Sequence, residues 1–66
     1  MSITNRSNFY FFCKEKGLTA AEVAERLECS KSAVHAYWYG QRLPSRRTMR
    51  RMEQELGIDT RRMFGL

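Results

Sequence analysis

Apolar residues recur at helical spacing in four stretches of the chain. In the third stretch, Val34, Tyr37 and Trp38 stand at positions i, i+3 and i+4, the spacing of one buried face of an α-helix. The same kind of stripe is formed by Phe9, Phe12 and Cys13, by Val23, Ala24 and Leu27, and by Met49, Met52 and Leu56. No strand-like alternation, internal repeat or low-complexity segment interrupts the stripes. The pattern therefore predicts an all-α fold.

Residues that start or stop helices divide the chain into five predicted helices. The first begins near Thr4 or Asn5 and runs to about Lys16, where Gly17 ends it. The other four cover about residues 20–27, 30–39, 46–56 and 60–64, with Thr19, Ser30, Ser45 and Asp59 as N-caps and with Gly40 and Gly57 after the third and fourth helices. Thr19 and Glu22 also have the spacing of a capping box. Single apolar residues are expected to anchor the links, namely Leu18, Leu43 and Ile58.

Length and charge narrow the range of functions. A chain of 66 residues makes one small domain, spanning residues 1–66, with a modest expected stability. Twelve Lys and Arg against seven Asp and Glu give a net charge of +5 and a pI near 9.8, and eight of the twelve cations lie from Lys31 onward. This excess favours a polyanionic partner such as nucleic acid, although a basic surface can also serve solubility alone.

Other classes of protein fit the sequence poorly. The chain has no run of 18 apolar residues and no signal peptide, so we expect a cytoplasmic protein that does not contact a membrane. Cys13 and Cys29 are expected to stay reduced, and with the single histidine they are too few for a zinc site; we expect no metal, cofactor or small-molecule ligand. No nucleophile–base set lies in a plausible cleft, so the protein is not expected to be an enzyme.

The second and third predicted helices are short and are joined by only three residues, Glu28 to Ser30. This is the arrangement of a helix-turn-helix, here over about residues 20–39. Away from its buried stripe, the third helix carries Lys31, Ser32, His35 and Ala36. This face is small, polar and mildly cationic, so it could enter a groove without a steric clash.

Further motifs surround this pair: Gly-Leu-Thr-x-x-Glu-Val-Ala-Glu-Arg-Leu from Gly17, Ser-x-Ser-x-Val from Ser30, Gly-x-x-x-Pro-Ser from Gly40 and Leu-Gly-Ile-Asp from Leu56. Together they resemble the Cro and lambda-repressor type of helix-turn-helix domain over residues 17–64. The resemblance implies a five-helix, lambda-repressor-like domain that places its third helix in the major groove of DNA. Residues 31–36 are similar to the recognition helix of small phage Cro-type repressors.

The resemblance also implies roles for individual residues. Base readout falls to Lys31, Ser32, Ala33, His35 and Ala36. Phosphate contacts fall to Thr19, Ala20, Tyr39, Gln41, Arg42, Arg46 and Arg47. Alternatively, the first set is a solvated helix face. Arg50 and Arg51 either add to the phosphate contacts or form a solvated face with Glu53 and Glu55.

The sequence departs from the pattern of the family in three respects. Ala20 replaces the glutamine that usually clamps a phosphate. Glu28 replaces the glycine of the turn, so either it adopts a left-handed conformation at a cost of roughly 1 kcal/mol or more, or the turn is built differently. Cys13 and Trp38 stand where many members have an Arg–Glu ion pair. Because both ends of that pair have become apolar together, we expect Cys13 to pack near Trp38.

The leading function is therefore that of a sequence-specific DNA-binding repressor of the phage or prophage Cro-like kind, acting in the cytoplasm at the nucleoid of a bacterial host. The family binds pseudo-palindromic operators as dimers, and the expected dimer interface is Ile58, Met63, Phe64 and Leu66, although Ile58 and Phe64 could instead close the monomer core. The homodimer should be weak and linked to DNA binding. An antitoxin, a restriction–modification controller and a basic protein-interaction adaptor are the alternatives.

Overall fold

The computed structural model describes residues 6–65, which contain five α-helices and no strand. The helices are α1 (Asn8–Glu15), α2 (Ala20–Leu27), α3 (Lys31–Trp38), α4 (Arg46–Leu56) and α5 (Thr60–Phe64). The all-α prediction is confirmed: the fold is a five-helix domain in which α2 and α3 form the helix-turn-helix. No helix within the described range is long and apolar enough to cross a bilayer.

The helices begin at the predicted caps, with one exception. Side-chain oxygens of Thr19, Ser30, Ser45 and Asp59 each accept a hydrogen bond from a backbone N–H in the first turn of the helix that follows. α1 is instead capped by Ser7, whose Oγ accepts from the N–H of Tyr10. The predicted starts at Thr4 and Asn5 lie outside the described residues. α1 and α3 also end one residue earlier than predicted, at Glu15 and Trp38.

α1, α2 and α3 end in the same kind of turn, in which a residue one or two positions beyond the helix adopts a left-handed conformation. Gly17 and Gly40 do so after α1 and α3, with φ of 71° and 67°. After α2, the N–H of Cys29 donates to the carbonyl of Ala24 at 2.9 Å, and the left-handed position is held by Glu28 with φ of 56°. Of the two alternatives for this position, the structure therefore has the strained, left-handed turn.

Arg51 of α4 braces this strained turn. Its Nη2 donates to the carbonyl of Arg26 at 3.1 Å, which satisfies one of the backbone acceptors left free at the end of α2. The same Nη2 lies 3.3 Å from Oε2 of Glu28. Because the Glu28 side chain is 64% exposed, this ion pair stabilises by about 1 kcal/mol at most. It offsets only part of the left-handed strain.

The core is formed by residues of the predicted stripes of α1 to α4 together with Ile58, which is 4% exposed, whereas Met49 of the α4 stripe is half-buried and lies outside this core. Ile58 therefore anchors its link, as predicted. Leu43 was expected to anchor the loop between α3 and α4, but it is 57% exposed, and the neighbouring Pro44 is buried instead. Proline suits this position because it has no backbone N–H to leave unpaired on burial.

Candidate nucleic-acid interface

The exposed face of α3 starts directly after a capped turn. The Oγ of Ser30 accepts a hydrogen bond from the N–H of Ala33 at 3.1 Å, and this cap orients the first turn of the helix. Three of the residues expected to read bases are exposed and a fourth is half-buried: Lys31, Ser32 and His35, with Ala36. The structure thus brings these four side chains together on one accessible face.

Ala33 does not belong to that face. It is 8% exposed and lies in the hydrophobic core with Tyr37, which follows it at i+4 on the same side of the helix. A methyl group in this position has too little free surface to pack on a thymine. The expected role of Ala33 in base readout is therefore corrected to a packing role.

The end of α3 is fastened to the start of α1 by Ser7. The backbone N–H of Ser7 donates to the carbonyl of Trp38 at 2.7 Å, and its hydroxyl donates to the carbonyl of Tyr37 at 2.7 Å. These carbonyls belong to the last turn of α3, where intrahelical partners run out. Ser7 therefore caps one helix and helps to hold the exposed face of another. Its position directly before the α1 stripe was the available sequence signal for it.

A cationic rim follows α3. Five residues expected to contact phosphates are exposed there, namely Tyr39, Gln41, Arg42, Arg46 and Arg47. The guanidinium carbon of Arg42 lies 5.7 Å from the centroid of the Tyr37 ring, which helps to place its charge. Residues 29–52 contain six Lys and Arg and no Asp or Glu. This segment therefore presents a positive potential on both sides of the loop.

The start of α2 suits a phosphate less well than the sequence suggested. The N–H of Thr19 donates to Oε1 of Glu22 at 2.9 Å, and its hydroxyl donates to the same oxygen at 3.1 Å. These bonds, with a smaller contribution from Arg26, hold the pKa of Glu22 below its ordinary value, so the carboxylate is charged. The capping box therefore places a negative charge at the site where Thr19 and Ala20 were expected to bind a phosphate.

Arg51 is also unlike the other cations of α4. Its hydrogen bond to the carbonyl of Arg26 and its contacts with Glu28 and Glu55 assign it to the α2–α4 junction. Arg50 is exposed and has no ion pair with a carboxylate of residues 6–65. The sequence left the roles of Arg50 and Arg51 open, and of these two only Arg50 keeps its charge available for a phosphate.

Aromatic rings connect α1 to the exposed face of α3. The ring centroid of Tyr10 lies 5.5 Å from that of Trp38, edge to face, and 6.2 Å from that of Tyr39. The His35 ring also lies 5.5 Å from that of Trp38. Neighbouring rings, called the aromatic surface below, therefore run from α1 past the buried Trp38 to two of the expected DNA-contacting residues, His35 and Tyr39.

Cys13 lies beside Trp38, in agreement with the expected packing. Burial raises the pKa of the Cys13 thiol, and the Trp38 indole and the Lys14 ammonium oppose this shift. The indole N–H is nevertheless buried without a partner in hydrogen-bonding geometry among residues 6–65. The indole therefore lies near the sulfur without donating a hydrogen bond of ordinary geometry.

The expected dimer interface is changed by the structure. Ile58 is in the core, so it is not available to a partner. Met63 and Phe64 are half-buried, and the Phe64 ring lies 6.0 Å from that of Phe9 in the core. Leu66 lies outside the described residues. The exposed Leu43, which the sequence predicted as a loop anchor and not as an interface residue, lines one groove with Met63 and Phe64.

No group of three potential metal-ligating side chains occurs between Arg6 and Gly65.

A family model described as a helix-turn-helix domain matches residues 12–62, which is well over half of the chain. The match runs from α1 into α5 and includes the exposed face of α3 and the cationic rim. Searches of curated proteins and of solved structures gave no match.

Proposed function

Because this chain belongs to the helix-turn-helix domain family, we propose that it is a transcriptional regulator that binds double-stranded DNA in a sequence-specific manner. In such domains the second helix of the motif enters the major groove and reads base edges from its first turns. The observation that carries the proposal is the exposed, acid-free start of α3 next to the cationic rim after it. Here α3 is the reading helix.

The exposed residues of α3 divide into different kinds of base contact. The Lys31 ammonium can donate to O6 or N7 of guanine, and the Ser32 hydroxyl can pair with several base edges. His35 can donate or accept at a base edge or a phosphate, and the half-buried Ala36 can contact a thymine methyl. Ala33 is excluded by its burial. The reading surface therefore comprises four residues.

Phosphate binding is concentrated after α3. The exposed cations Arg42, Arg46 and Arg47 neutralise backbone charge, and Tyr39 and Gln41 add hydrogen bonds. Arg46 and Arg47 stand in the first turn of α4, where the helix dipole disfavours a cation by about 0.3–1 kcal/mol each. An external phosphate offsets this cost and also accepts hydrogen bonds from the free backbone N–H groups of the helix start.

We further propose that the regulator is a repressor of the Cro-like kind that binds a pseudo-palindromic operator as a dimer. One domain reads only a few base pairs, and two copies with their α3 helices about 34 Å apart would contact successive major grooves. Leu43, Met63 and Phe64 supply the apolar part of the contact between copies. Repression then follows from occupying the operator, since no separate activating surface is required.

Selection of bound sequences from a random duplex library tests the proposal directly. We expect a single motif with two-fold symmetry and half-sites one helical turn apart. Failure to enrich any motif would contradict sequence-specific binding, and enrichment of a motif without symmetry would contradict the dimer.

Two substitutions then separate base reading from phosphate binding. Lys31→Ala should cost about 1–3 kcal/mol on the selected site and relax the preference at one base position. Arg42→Ala should weaken selected and random duplexes alike and reduce the slope of log affinity against log salt by about one. If Lys31→Ala weakened both duplexes equally, Lys31 would be a phosphate ligand and not a reader.

A further inference from the structure

A cation of α1 lies against the aromatic surface that connects α1 to α3. The Nζ of Lys14 is 5.4 Å from the ring centroid of Tyr10 and 5.6 Å from that of Trp38. The guanidinium carbon of Arg6 lies 4.7 Å from the same Tyr10 ring. Two positive charges are thus gathered around one aromatic side chain. Ring faces attract cations, so this arrangement fixes where the Lys14 ammonium is held.

The held ammonium is adjacent to the face proposed to meet DNA. Trp38 contacts Lys14 and also lies next to His35, with 5.5 Å between the rings. Tyr10 likewise contacts Lys14 and lies next to Tyr39. Lys14 is therefore separated from both His35 and Tyr39 by the width of a single aromatic side chain.

The charge of Lys14 is not neutralised within the part of the chain that the structure describes. Both ion pairs formed by residues 6–65 belong to Arg51. The Lys14 side chain is exposed, and the other cation that lies against the Tyr10 ring, Arg6, carries the same charge. Two cations beside one ring repel each other unless an anion joins them. The cluster therefore favours an anionic ligand.

Because the start of α2 carries a negative charge, a cation near it would help this side of the protein to bind a phosphate. Glu22 occupies the capping box there, so this helix start repels phosphate more than an uncharged start would. Lys14 stands in the last turn of α1, five residues before Thr19, and its carbonyl accepts from the N–H of Gly17 in the α1–α2 link. A DNA backbone that passes α3 on the side of α1 would therefore meet the Lys14 ammonium, which acts as a positive point charge.

We propose that Lys14 binds a phosphate of the DNA backbone, so that the interface extends from α3 onto α1. The inference rests on the proposed function and deepens it, because it adds a phosphate ligand on a helix outside the helix-turn-helix. The rings of Tyr10 and Trp38 hold the ammonium in place, and the phosphate supplies the missing negative charge. A lysine suits this role because its charge acts without a fixed orientation.

Lys16 offers a matched control. It is another exposed lysine near the end of α1, and its Nζ lies 5.6 Å from an aromatic ring, that of Phe12. This ring faces a different groove, which Lys16 lines with Leu18 and Arg26. Lys14→Ala and Lys16→Ala therefore each remove one positive charge and one kind of ring contact, but the two lysines lie against different rings. Thermal melting of both variants establishes that each is folded.

The experiment measures the affinity of the wild type, Lys14→Ala, Lys16→Ala and Lys14→Arg for a random-sequence duplex over a range of salt. Loss of one phosphate contact lowers the salt slope by about 0.9, so the ratio of wild-type to Lys14→Ala affinity should fall about threefold to fourfold between about 50 and about 200 mM salt. Lys16→Ala should keep the wild-type slope. Lys14→Arg should restore the slope, since it keeps the charge and the ring contact.

Equal slopes for Lys14→Ala and Lys16→Ala would overturn the inference, as would a wild-type slope in Lys14→Ala. The measurement does not depend on an operator, because random duplex reports backbone binding alone. A Lys14-dependent slope without any enriched motif would therefore sustain the phosphate site while contradicting sequence-specific regulation. If the wild type bound no duplex at all, both the site and the proposed function would be overturned.

Discussion

At the scale of single residues, Glu28 shows how this chain tolerates a local conflict. It adopts the left-handed conformation that Gly17 and Gly40 adopt after α1 and α3. For a residue with a Cβ this conformation costs about 1–2 kcal/mol. Arg51 compensates in part through the exposed ion pair and through its bond to the carbonyl of Arg26. The hydrogen bond from Arg51 to this carbonyl does not require the Glu28 side chain, so most of the stabilisation by Arg51 should remain when Glu28 is replaced.

Glu28→Gly should therefore raise the free energy of unfolding, by up to about 1 kcal/mol, because relief of the strain exceeds the loss of an exposed ion pair. Glu25→Gly is the control: Glu25 is exposed in α2, where glycine should lower the free energy of unfolding by about 1 kcal/mol. Chemical denaturation of the two variants and the wild type measures both effects. A decrease for Glu28→Gly as large as that for Glu25→Gly would refute the strain.

Residue by residue, the sequence predicted helix faces better than loop contacts. Val34, Tyr37 and Trp38 are buried as their spacing predicted, because an α-helix has 3.6 residues per turn whatever surrounds it. Ala33 was misassigned because alanine suits a core and a surface equally. The exposure of Leu43 depends on Pro44 taking the buried place in the loop, which no periodicity specifies. The compensating role of Arg51 depends on a contact across 25 residues.

At the scale of elements, the capping box of α2 links stability to pH. Hydrogen bonds from the backbone and side chain of Thr19 lower the pKa of Glu22 below its ordinary value of 4.5. The folded state thus holds the Glu22 proton less tightly than the unfolded state. The stability that this carboxylate contributes is fully present above pH 4.5 and is lost as the pH falls through the lower folded-state value.

Glu22→Gln should make the free energy of unfolding less dependent on pH in the acid range, while the cap itself persists because glutamine also fits the third position of a capping box. Denaturation at neutral pH and at several acid values measures this dependence. Glu15→Gln serves as the control, since it removes a carboxylate from an exposed position at the end of α1. The prediction fails if the two variants lose stability in acid with the same slope as the wild type.

The elements themselves were largely predictable, because each helix carries its own start and stop residues. Four of the five caps and the bounds of α2, α4 and α5 agree with the prediction from the sequence. The cap of α1 was missed because Ser7 is selected by its bonds to the end of α3, 30 residues away, as well as by its own helix. For the candidate site, the exposed face of α3 followed from periodicity. The carboxylate at the start of α2 also followed from the capping box, and its negative charge makes the phosphate contact predicted there unfavourable.

At the scale of the whole molecule, the groove proposed for contact between copies combines apolar and cationic residues. Leu43, Met63 and Phe64 line it together with Arg6, Arg42 and Arg62. Two copies that met across this groove would bring like charges together, which opposes association in the absence of a polyanion. The apolar residues favour contact, and the arginines favour contact only when DNA is present.

We therefore expect a monomer of 7.8 kDa by sedimentation at micromolar concentration without DNA. Leu43→Ser should reduce the preference for the palindromic site over an isolated half-site and should leave half-site binding unchanged. Phe11→Ser is a matched control, because Phe11 is also 57% exposed but does not line the groove. A tight dimer without DNA, or equal effects of both substitutions on the preference, would contradict this surface.

The two hydrogen bonds that Ser7 donates to the last turn of α3 also determine how far the helix-turn-helix can be transplanted. A graft of residues 19–40 into another scaffold would carry the helix proposed to read DNA but would leave the carbonyls of Tyr37 and Trp38 without these donors. It would also lose the Tyr10 ring beside Trp38. The smallest portable cassette of this protein therefore starts at Ser7, and a designer who exchanges specificities between scaffolds should transfer α1 with the helix-turn-helix.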